Sequence, residues 1–155
     1  ELTPVTSAEY TGAGNDLGYL WADSGVNVEK SEKLIRIAVG DSPRRSAYLD
    51  SLGWVLYKKG DFAESSKYLK RAIALLDSPD AVITEHYGDA LYRNGDKAGA
   101  QEQWKKALTV LSDEDDSLTP EQEEVLRRCR VKTAAGAQGG AIETAPTASE
   151  QAKKN

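Results

Sequence analysis

The chain has 155 residues, 39% of them hydrophobic, with a formal net charge of -5 and a pI near 5.0. That balance lacks the basic face of a phosphate-backbone binder, so nucleic acid is disfavoured as a partner. No apolar run approaches the ~20 residues of a membrane span, and the single cysteine excludes an internal disulfide or a multi-cysteine metal site.

Residues 1–11, opening "ELTPVTSAEY", read as an N-terminal extension or the end of a preceding repeat. They show no signal-peptide pattern. The absence of methionine points to a processed form or a piece of a longer chain.

Three units follow, at about 12–43, 44–78 and 79–111. Gly18, Gly53 and Gly88 recur at spacings of 35, as do Gly25, Gly60 and Gly95. Ala38, Ala72 and Ala107 recur at 34 and 35. Three columns with one period mark a helical repeat array. Each unit reads as two helices. In the second, Tyr48, Leu49, Leu52, Val55 and Leu56 form one apolar stripe, and Phe62, Leu69, Ala72, Ile73 and Leu76 form another. Between them "KGD" stops the first helix, with Gly60 suited to a left-handed C-terminal position. Ser42 and Ser78, each followed by proline, are predicted N-caps. The small residues of the columns allow close helix approach, with Ile35, Leu69 and Trp104 filling the facing gaps.

Residues 112–131 read as a linker and a capping helix. Thr119, Pro120 and Gln122 make a capping box with proline at the first helical position. Glu123 is expected to pair with Arg127, and Glu124 with Arg128. Val125, Leu126 and Cys129 form its apolar stripe. From Lys132 to residue 155 the composition turns to Ala, Gly, Thr and Gln with one large aliphatic, Ile142, so a disordered tail is expected.

The columns resemble the tetratricopeptide repeat. Leu17-Gly18, Leu52-Gly53 and Tyr87-Gly88 match its Leu-Gly pair, Ala38, Ala72 and Ala107 its late alanine, and Pro43 and Pro79 fall near its terminal proline. The mid-repeat alanine is kept only as Ala100, with Ser31 and Ser65 elsewhere. The resemblance covers about residues 12–111. It implies an all-α, right-handed α-solenoid of helix-turn-helix repeats whose first helices line a concave groove. Carried over by position, the groove residues are Asn15, Tyr19 and Asp23; Asp50, Trp54, Tyr57 and Lys58; and Glu85, Asp89, Tyr92 and Arg93. The family's clamp for a partner's C-terminal carboxylates is not matched. Asn15, Tyr19, Ser51, Val82 and His86 stand at those positions.

Catalytic and metal signals are weak. His86 is the only histidine and reads as a half-exposed helical residue rather than a base or ligand. "GAGNDLG" lacks the third glycine and the preceding strand of a dinucleotide loop. Cys129 reads as core packing. "DEDD", Asp113 to Asp116, lacks the spacing of a calcium loop and reads as a solvated linker. Lys33, Arg36, Lys67, Lys70, Arg71, Lys105 and Lys106 read as one surface column on the second helices.

The expectation is therefore a non-enzymatic interaction module without cofactor or metal. It would be a monomer or part of a larger chain, binding a protein segment with apolar and some basic side chains. The alternative is a structural segment of a longer scaffold packed on an upstream domain, and an enzyme stands third. Compartment stays open between bacterial cytoplasm and an exported or periplasmic location.

Overall fold

The computed structural model describes residues 7–112 and 117–154. Among them are eight helices and no strand: α1 (Ser7–Asp23), α2 (Val28–Asp41), α3 (Ser46–Lys59), α4 (Phe62–Ala74), α5 (Ala81–Arg93), α6 (Lys97–Ser112), α7 (Pro120–Ala137) and α8 (Ala148–Ala152). They form two compact units, Glu1–Leu75 with Pro146–Asn155, and Leu76–Ala145. The expected linker Asp113 to Asp116 lies outside the described residues.

In the first unit α1 packs on α2, α3 on α4, and the pairs meet through α2 with α3 and α1 with α3. The glycine column makes these contacts possible. A Cβ at Gly18 would lie 2.8 Å from Ile35 Cγ1, and one at Gly53 would lie 2.5 Å from Leu69 Cγ. The two serines that replace the expected small residue bond to the same glycines. Ser31 Oγ donates to the Gly18 carbonyl (2.5 Å) and Ser65 Oγ to that of Gly53 (2.7 Å). A hydroxyl thus satisfies itself inside the contact, which a buried polar group requires.

The second unit repeats the scheme. α5 packs on α6, and α7 packs on both. A Cβ at Gly88 would lie 2.5 Å from Trp104 Nε1. Ala81, Ala100, Trp104, Ala107, Leu111, Val125 and Cys129 form the core. Gly25, Gly60 and Gly95 each close a first helix at φ of 71°, 88° and 95°, a left-handed conformation that glycine adopts without a Cβ clash.

Several boundaries differ from expectation. α1 already begins at Ser7, within the expected extension. Neither serine caps. Ser42 ends α2 and its hydroxyl bonds Asp41, while α3 starts after Arg45. Asp80 caps α5, accepting from Ile83 N at 3.0 Å, because its carboxylate lies next to the helix start and Ser78 does not. The Thr119–Gln122 capping box forms as expected. Arg127 pairs with Glu124 rather than Glu123.

The expected disordered tail takes a defined course instead. α7 runs on to Ala137, Ile142 packs against the core of the second unit, and α8 forms at Ala148–Ala152. Composition predicted disorder because the segment has few apolar anchors. What places it is polar: a second capping box, Thr147 with Glu150, and bonds to side chains of the repeats.

Candidate partner-binding face

In the first unit, α3 is buried on every side from Tyr48 to Lys58, since α1, α2, α4 and α8 all pack on it. Trp54 is only 4% exposed. Its indole Nε1 donates to Asp23 Oδ1 at 3.1 Å, and its ring stacks on Tyr57 at 4.9 Å with an 11° interplanar angle. Tyr57 in turn meets Phe62 edge-on. Lys58 is 2% exposed. Its Nζ donates to the Pro146 carbonyl at 2.9 Å and to Gln151 Oε1 at 3.1 Å, and lies 5.4 Å from the centre of the Trp54 ring. Gln151 Nε2 donates to the Asp23 carbonyl at 3.2 Å. Burial pulls the Lys58 ammonium below the ordinary lysine range, against the opposing charges of Asp23 and Glu150.

In the second unit, Glu85 and Asp89 are each 2% exposed and both are paired. Arg128 makes a bidentate contact with Glu85 (2.7 and 2.5 Å), and Lys132 Nζ reaches Glu85 at 2.9 Å and Asp89 at 2.6 Å. Asp89 also accepts from Trp104 Nε1 (3.0 Å) and from the Ala145 amide (3.0 Å). Burial alone would raise the Glu85 carboxyl. The Arg128 hydrogen bonds and the Lys132 and Arg128 charges outweigh it and hold the carboxyl below its usual range. Tyr92 lies 5.8 Å from Trp104 and is half-buried. His86, expected half-exposed, is buried. Cys129 is fully buried, and burial pushes its thiol up to about 12, with the Glu85 charge adding to the effect. Among the described residues no group of three His, Cys, Asp or Glu side chains could hold a metal, and no helix is long and apolar enough to cross a membrane.

The structure thus gathers Asp23, Trp54, Tyr57 and Lys58 into one cluster, and Glu85, Asp89 and Tyr92 lie in another within their own unit. Asn15 and Asp50 are buried, and Tyr19 and Arg93 are half-buried. Trp54, expected to line the groove, is buried. It lies against Asp23, Tyr57 and Lys58, and the C-terminal residues Pro146 and Gln151 bond to Lys58 and Asp23 beside it. Of the acidic residues assigned to the groove, Glu85 and Asp89 are engaged by Arg128 and Lys132. Sequence reading missed Lys132, Arg128, Pro146 and Gln151. The available signal was "PTASEQ", whose Thr147 and Glu150 have capping-box spacing.

No protein-family model matches the chain. Over 74 residues, 48% of its length, it is 35% identical to the TPR repeat-containing protein PA4667 of Pseudomonas aeruginosa. The match spans 12% of that relative. With this similarity, three in-register columns and consecutive packed helix pairs, the chain is all-α and is similar to tetratricopeptide-repeat proteins.

Proposed function

We propose that the chain is a non-enzymatic protein-interaction module that holds an extended protein segment on the faces of its first helices. One observation carries this reading. Side chains of those helices take hold of main-chain groups of a segment that is not part of the repeats. In the first unit Lys58 donates to the Pro146 carbonyl, and in the second Asp89 accepts from the Ala145 amide. Main-chain bonding of this kind gives affinity for an extended chain, while adjoining side-chain contacts give selectivity. The test is selection from a random peptide display library on the full-length chain. A consensus is expected whose binding is lost in Lys58→Met and kept in Lys70→Ala, on an exposed position of α4. No consensus, or one that depends on Lys70 and ignores Lys58, refutes the reading.

A second reading rests on a different observation. Tyr10, Leu17 and Leu20 are 70%, 42% and 62% exposed and share one face of α1 with exposed Ala13. Spacing of three, four and seven residues is the stripe that one helix offers another, so the chain is also suited to pack on a further repeat of a longer scaffold. Leu17→Lys with Leu20→Lys should abolish binding of an apolar dye and concentration-dependent association without altering the helix content. An unmodified chain that neither binds the dye nor associates contradicts this reading.

A further inference from the structure

The contact between Lys58, Asp23 and the C-terminal segment has the features of a recognition site and few of a structural anchor. α8 has five residues, none of them buried, and a helix that short does not hold itself together in water. No large apolar side chain fastens it. The fastening is polar and concentrated on two residues. Lys58 Nζ donates to the Pro146 carbonyl and the Gln151 side-chain oxygen, and the Gln151 amide nitrogen donates to the Asp23 carbonyl. A single side-chain amide is therefore read at both ends, as acceptor by an ammonium and as donor by a main-chain oxygen. Thr147 accepts from the Glu150 amide, and Glu150 accepts from the Thr147 amide and hydroxyl, which sets the turn that presents Gln151. The receiving side is shaped for this. Gly25 closes α1 in the left-handed region, and a Cβ there would run into the Gln151 amide and crowd the Ala148 backbone. Trp54 lies beside the lysine and is tied to Asp23.

We propose that Gly25, Asp23, Trp54 and Lys58 form a reader of a capped glutamine segment, Pro-(Thr/Ser)-x-x-Glu-Gln, and that the chain's own Pro146–Gln151 is an internal ligand which a partner protein bearing the same kind of segment displaces. The inference rests on the interaction-module reading and gives it a ligand class and a regulator. Glutamine is preferred because a carboxylate in its place would set an oxygen against the Asp23 carbonyl and lose the hydrogen bond that the amide donates there. Occupancy by the internal segment lowers the apparent affinity for an outside one by the fraction of time the site is free. A site free a tenth of the time binds ~10-fold more weakly. Segments held by so few contacts open locally without global unfolding.

The test uses a fluorescent peptide copying residues 144–153 and the full-length chain, read by anisotropy. Thr147→Ala removes the cap of α8 and Gln151→Glu removes the amide; each should bind the peptide roughly 5–10-fold more tightly than the unmodified chain, because the internal competitor is weakened. Against the Thr147→Ala chain, a peptide with glutamate for the glutamine should lose at least ~10-fold. Lys58→Met should abolish binding, and helix content and melting temperature report whether that variant is folded. Should it unfold, Gly25→Ala, which blocks the seat from the opposite side, takes its place. Equal binding by the unmodified, Thr147→Ala and Gln151→Glu chains overturns the proposal, as does indifference to the Gln→Glu change in the peptide. A chain that sediments as a dimer by exchanging this segment overturns the assignment to a partner protein. A display consensus that depends on Lys58 but lacks the Pro-(Thr/Ser)-x-x-Glu-Gln pattern overturns the ligand class and leaves the interaction-module reading standing.

Discussion

Gly53→Ala is the sharpest probe of the packing. Gly53 lies inside α3, where alanine should stabilise a helix by about 1 kcal/mol. The added methyl would meet Leu69 Cγ at 2.5 Å and Cδ2 at 2.9 Å, with the Leu69 backbone nitrogen at 3.3 Å. Leu69 is fully buried and cannot swing outward. Overpacking of this kind costs roughly 1–3 kcal/mol, so the net should be a loss of about 1 and at most ~2 kcal/mol. Gly40→Ala supplies the control. Gly40 is exposed in α2, and a Cβ there meets nothing within 4 Å. It should gain a few tenths of a kcal/mol up to ~1. Urea denaturation followed by helical circular dichroism measures both. If Gly53→Ala gains stability as Gly40→Ala does, the close contact of α3 with α4 is not where the glycine column puts it.

Lys132→Met should cost ~3–5 kcal/mol in the same assay, because it leaves the buried carboxylates of Glu85 and Asp89 without their shared ammonium; a loss below ~1 kcal/mol contradicts the buried pairing. The folded Glu85 carboxyl lies below its ordinary value of 4.5. Its contribution is thus complete above that pH and is lost as pH falls through the folded value, so the melting temperature should drop on acidification below about 4.5 and Glu85→Gln should flatten the drop. Cys129, buried with its thiol pushed up to about 12, should resist a disulfide reagent in the native state and react at the rate of unfolding; fast native labelling refutes its burial. Truncation after Ala145 should leave most of the melting temperature in place but raise acrylamide quenching of Trp54, read as one resonance with fluorotryptophan, and an unchanged Trp54 means the segment does not cover it.

The repeat frame was legible because it rests on small residues at fixed spacing. Steric allowance is a local property, and Gly18, Gly53 and Gly88 face Ile35, Leu69 and Trp104 as their columns require. Helix stops were legible for the same reason, as Gly25, Gly60 and Gly95 show. Helix starts were less so. At Ser42 and Asp80 two capable caps stood within three residues of a proline, and the choice depends on the backbone path. The first-helix positions could be named, but their environment could not. Lys58 bonds to residues 88 and 93 positions later, and no periodicity links them. The pairing of Glu85 and Asp89 was not legible because Arg128 was expected to pair with Glu124 on its own helix and Lys132 to open a disordered tail. The tail looked disordered because composition counts apolar anchors, whereas Pro146–Gln151 is placed by hydrogen bonds to Lys58 and Asp23.

The central claim is that side chains of the first helices bind a protein segment. Its most direct measurement is a titration of the isotopically labelled full-length Thr147→Ala chain with the peptide of residues 144–153, observing tryptophan indole and lysine ammonium signals. Saturable shifts are predicted for the Trp54 indole and the Lys58 ammonium, with the exposed Lys70 unmoved. Shifts at Lys70 with Trp54 and Lys58 unchanged would contradict it.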